Sequence, residues 1–204
     1  MASERTRLTR RDALKKIAAG GAGAAATVFW VDALVSAAEQ HAAHYHAPAA
    51  AAAGPWTPKV LSPAQNETII ALAETIIPKT ETAGATDARV NEFIDGVLAG
   101  ATPEHRTKFL DGLAWLDTHT TEAHGAPFTK LGHEQQAAVL TTLSQLSPDA
   151  SPAPPGAEFF QAIKSLTVTG YYTSEIAMRE EIGDDGLMFF AEFTGCTHKE
   201  HGAE

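Results

Sequence analysis

The stretch LSPAQNETIIALAETIIP, residues 61–78, constrains the fold more than any other, because it spells a helix with both ends marked. Ser62 is a helix cap, Pro63 stands at the first helical position where its missing N–H costs nothing, Gln65 completes a capping box and Pro78 stops the run. Ile69, Leu72, Ala73 and Ile76 recur at three and four residues, so one face is apolar. The same pattern returns four times. A second helix, from about Asp87 to Ala99, aligns Val90, Phe93, Ile94 and Val97 and ends at Gly100. A third starts at Thr102 and Pro103, carries Phe109, Leu110, Leu113 and Leu116, and runs out near Gly125. A fourth, about His133 to Leu146, has Ala137, Leu140 and Leu143, and a fifth from about Ala157 has Phe159, Phe160, Ile163 and Leu166 after the Pro-rich break 147–156. No segment alternates with period two. The expectation is an all-α, irregular bundle of about five to six helices over residues 61–204.

What precedes residue 61 reads differently. Arg5, Arg7, Arg10, Arg11, Lys15 and Lys16 form a basic region, followed from Ile17 to Val31 by an uncharged, Gly/Ala-rich block too short to span a bilayer. Val35-Ser36-Ala37 is a small-residue site of the A-x-A type. Thr9-Arg10-Arg11-Asp12-Ala13-Leu14-Lys15 resembles a twin-arginine export signal, which carries folded cargo. Residues 1–37 are therefore expected to be a signal peptide with Arg10 and Arg11 at its heart. The competing reading is a helix that stays with the domain. Residues 38–60, Ala/Pro-rich and without a helical apolar face, are expected to be a flexible linker.

Charge narrows the partners. The chain carries a formal −10, and its first 37 residues hold six basic and three acidic side chains, leaving the remainder at about −13. That excess argues against nucleic acid or an anionic membrane as a ligand.

Chemistry-bearing motifs are scarce. Neither a Gly-rich nucleotide cradle, nor G-x-S-x-G, nor H-E-x-x-H occurs, so no catalytic or cofactor-binding residues are assigned to this chain. His41, His44 and His46, or Cys196, His198 and His201, have spacings that a transition metal could use, which keeps a stand-alone periplasmic metal-binding protein as the alternative function. His105 and His119, 14 residues apart on one helix, are separated by about 21 Å and cannot share a metal. Cys196 is the single cysteine, so any disulfide must join another chain; a free thiol is the other option.

Three stretches, 76–95 (IIPKTETAGATDARVNEFID), 125–140 (GAPFTKLGHEQQAAVL) and 159–176 (FFQAIKSLTVTGYYTSEI), together resemble the gluconate 2-dehydrogenase subunit 3 family, with FTGCTHKEH near the end. Two positions depart from the family pattern: Ala83 stands where Pro is usual and Ala177 where Gly is common. The resemblance implies a non-catalytic accessory subunit. It would bind and mature an FAD-dependent dehydrogenase of the glucose-methanol-choline type, which oxidises a sugar or polyol, and would lend it the export signal. A cytochrome c subunit carrying haem c would take the electrons. The implied location is the periplasm, with membrane contact only through the complex. Within this frame Cys196 is the candidate for an interchain disulfide. Gly170, Tyr171, Tyr172, Thr173, Ser174 and Glu175 are the candidate partner interface, the alternative being that one tyrosine packs inward and the other is a surface ring.

Overall fold

The computed structural model describes residues 29–44, 56–150 and 152–183. Six helices form the domain among them: α1 (Phe29–His44), α2 (Pro63–Ile76), α3 (Val90–Gly100), α4 (Pro103–His124), α5 (His133–Ser144) and α6 (Ala157–Tyr172). A 3-10 turn, Phe128–Lys130, leads into α5. After α6 come a short turn, Glu175–Ala177, and one wide π-helical turn, Met178–Ile182. No strand occurs among the described residues, and no helix there is long and apolar enough to cross a membrane.

The ends of the helices follow their local chemistry. Gln65 N–H donates to Ser62 Oγ (3.3 Å) while Ser62 N–H donates to Gln65 Oε1 (2.9 Å), the reciprocal pair the sequence predicts. Thr102 caps α4 by accepting from His105 N–H, and Gly125 closes it at φ 78°, a left-handed backbone that favours glycine. Helix α3 starts later than periodicity suggests, because residues 86–89 form a turn in which Arg89 itself is left-handed (φ 55°).

Helix α6 is the axis of the domain and touches each of the other five helices. Its Phe159, Phe160, Ile163, Leu166 and Tyr171 are buried together with Leu72 of α2, Phe93 of α3, Leu116 of α4 and Leu140 of α5. Burial of such side chains, about 1.5–3 kcal/mol each, holds the bundle.

Residues 38–44 differ from the expected linker. They continue α1, which lies mainly along α6 and also packs on α3. Trp30, Val31, Leu34 and Ala38 of α1 are buried, and Trp30 Nε1–H donates to Glu158 Oε2 of α6 (2.6 Å). Gly96 of α3 makes room for the helix: a Cβ there would sit 2.5 Å from His41 Nε2. An Ala-rich segment gives a weak amphipathic signal, since alanine is as content inside as outside, so the contact face is set by the groove it fills. Arg10, Arg11 and the rest of the first 28 residues lie outside the described residues.

Candidate partner interface

The proposed interface falls at the end of α6, where the chain turns sharply. Gly170 is buried, and a Cβ there would meet Phe93 Cδ1 at 2.7 Å, so glycine sets the close approach of α6 to α3. Thr173 Oγ1 donates back to Thr169 O (2.7 Å), and Ser174 Oγ donates to Tyr171 O (2.6 Å) while accepting from Ala177 N–H (3.3 Å). These bonds end the helix and start the next turn.

The adjacent tyrosines part company. Tyr171 is 1% exposed; its hydroxyl donates to Ala83 O (2.8 Å) and lies 3.2 Å from Glu181 Oε1. Burial, and then the Glu181 carboxylate, hold that hydroxyl above its ordinary pKa, so it stays a proton donor. Tyr172 is 47% exposed and meets Tyr171 edge to face at 5.2 Å. Val168, one turn earlier, is the other large apolar side chain exposed among the described residues. Glu175, exposed, pairs with Arg179 at 2.6 Å. The corner is therefore an apolar patch of Tyr172 and Val168 beside carboxylates, with Tyr171 anchoring it from below.

The loop beneath is fastened by three carboxylates that sequence reasoning did not single out. Ala83 N–H donates to Glu180 Oε2 (2.8 Å) and Thr82 Oγ1 to Glu181 Oε1 (2.5 Å). Lys79 N–H and Thr86 N–H donate to the two oxygens of Glu74 (2.9 and 3.0 Å). The departure at Ala83 now has a physical meaning: proline in its place would have no N–H for Glu180. Two of the stretches that carry the resemblance, 76–95 and 159–176, thus meet at this corner.

Burial works to raise the Glu74 pKa, but hydrogen bonds from Thr86 and Lys79 outweigh it and leave the carboxyl below its ordinary 4.5. A depressed carboxylate contributes stability that is complete above its unfolded pKa and lost as pH falls through the folded one. Glu74→Gln is accordingly expected to lower the melting temperature at pH 7 by about 3 °C. The gap from the parent should narrow as the pH falls from 4.5 through the lowered folded-state value, as melting curves across pH would show.

A fourth carboxylate is wholly internal. Asp95 of α3 is 1% exposed and accepts from three successive backbone N–H groups, Lys59 (2.7 Å), Val60 (3.0 Å) and Leu61 (3.0 Å). It ties the approach to α2 onto α3. The clue in the sequence was an acid embedded in the apolar run VNEFIDGVL.

The histidines and the cysteine distribute as follows. His41 packs its ring on Phe93 (5.4 Å, 61°), and burial, then the Lys59 charge, lowers its pKa. His119 stacks on Trp115 at 4.9 Å. No three His, Cys, Asp or Glu side chains converge on a cation site among the described residues. His46, Cys196, His198 and His201, like the acidic and aromatic stretch 184–193, lie outside them. A shallow cleft of about 390 Å³ between α2 and the start of α5 is lined by Glu67, Glu74, Thr86, Lys130, His133 and Gln136. It shows no arrangement of nucleophile and base.

Fold and corner together define a small all-helical domain whose sixth helix ends in an exposed Tyr172 and Val168 above the buried Tyr171. Residues 63–185 match the family model described as gluconate 2-dehydrogenase subunit 3. The chain belongs to the gluconate 2-dehydrogenase subunit 3 family and is thereby an accessory subunit of a multi-subunit dehydrogenase complex. No curated protein and no solved structure matches the chain significantly.

Proposed function

We propose that this chain binds, matures and co-exports an FAD-dependent sugar or polyol dehydrogenase of the glucose-methanol-choline type. The observation that carries the proposal is the family match over 63–185, and the twin arginines at 10 and 11 supply the export half of the reading. Flavin and substrate belong to the large subunit, and haem c to a cytochrome subunit that receives the electrons. The complex works in the periplasm and reaches the membrane through its other subunits. Tyr172 and Val168 support the docking role, because an exposed aromatic beside an aliphatic side chain is the kind of anchor that dominates interface energies. In this reading Cys196, the single cysteine, forms its bridge to the large subunit once the complex has left the reducing cytoplasm.

Purifying the tagged chain from its own periplasm tests the reading. A flavin-absorbing partner should come with it, and a joined band on a non-reducing gel should split on reduction. A colourless chain emerging alone would overturn it. Tyr172→Ala is expected to weaken capture of the flavoprotein about tenfold or more while leaving the melting temperature unchanged, since the ring is half exposed. Binding titrations beside melting curves would separate the two effects.

A further inference from the structure

We propose that α1 remains part of the exported protein, so that any removal of the signal occurs N-terminal to Phe29 and not at the small-residue site Val35-Ser36-Ala37. The proposal rests on the export reading for its setting and on the packing of α1 for its substance.

A cut after Ala37 would remove the first nine of the 16 residues of α1. Among them are Trp30, Val31 and Leu34, all buried against the bundle, and the Trp30 hydrogen bond to Glu158. The groove that they fill, on α6 and α3, would open to water along much of its length. What remained, Ala38 to His44, would be a helix of two turns, too short to persist on its own propensity.

The scissile bond is also out of reach. Proteases bind their substrates extended, whereas Ala37–Ala38 lies in the middle of a helix and Ala38 is 0% exposed. In the twin-arginine route the cargo folds before it crosses, so α1 is already docked when a processing enzyme on the far side first meets the chain. A small-residue motif read from sequence is thus concealed by the fold. The same packing explains why the segment is Ala-rich: Ala38 sits in the tight α1 contact, beside the approach that Gly96 permits to His41.

The full chain, carrying a C-terminal tag and expressed in its own exporting cell, would be isolated from the periplasm and its intact mass measured. The expected mass places the first residue at or before Phe29. A first residue after Phe29, Ala38 included, in a folded protein would overturn the proposal. Were no chain to reach the periplasm, the export reading would fall, and the packing is then tested on the full chain from the cytoplasm. Leu34→Ala should lower its melting temperature by about 10 °C, and Glu39→Ala, at an exposed position on the same helix, should leave it unchanged. Equal melting of the Leu34→Ala variant and the parent would show that α1 is not held in the core and would overturn the proposal.

Discussion

Replacing Asp95 by alanine is expected to cost about 3 kcal/mol of stability, or roughly 9 °C in melting temperature for a domain of this size. The magnitude comes from what is left behind. Three backbone N–H groups, at Lys59, Val60 and Leu61, lose their acceptor together, and the last of them is buried. Each orphaned donor costs about 1 kcal/mol or more when water cannot replace the lost bond. Asp95→Asn should fall between parent and alanine variant, because its amide keeps one oxygen to accept but turns an N–H₂ toward further donors. Urea denaturation of the three proteins would measure this. A loss below about 1 kcal/mol for Asp95→Ala would mean that water satisfies the three amides and that Asp95 does not fasten the approach to α2.

On the proposed co-export role, changing Arg10 and Arg11 together to lysine is expected to abolish the periplasmic activity of the partner dehydrogenase. Lysine keeps the charge but not the planar guanidinium fork, and the export route distinguishes the two side chains. The folded domain should be unaffected, since the described helices that build it begin at Phe29, so the complex should accumulate, flavin-loaded, in the cytoplasm. Fractionation followed by a dye-linked activity assay gives the readout. Undiminished periplasmic activity would sink the co-export role while leaving membership of a dehydrogenase complex untouched. Activity lost from both compartments would instead point to a failure of maturation.

Much of the bundle was legible one residue at a time. Ser62 with Gln65, Thr102 with Pro103 and Gly125 after a helical run announce helix ends through bonds that span three or four residues, which makes them readable before any tertiary contact exists. The inner faces followed for the same reason: Leu113, Leu116, Leu140, Leu143, Ile163 and Leu166 occur at helical spacing and are buried. At the candidate corner, sequence could say only that neighbouring side chains on a helix diverge by about 100°. It could not say which tyrosine goes in.

By itself, then, the sequence determined that the chain is helical, where five helices run and which stripe of each is apolar, because caps and periodicity are local. Only the tertiary structure decided that residues 29–44 are a sixth helix inside the core, that Tyr171 is the anchor and Tyr172 the exposed ring, and that Glu180 and Glu181 hold the loop at Ala83. Those outcomes depend on partners that lie some 90 to 130 residues away along the chain, such as Ala83 for Tyr171 and Glu158 for Trp30. An Ala-rich helix or a pair of tyrosines carries no local mark of the surface it will meet, so its place is fixed only when that surface has formed.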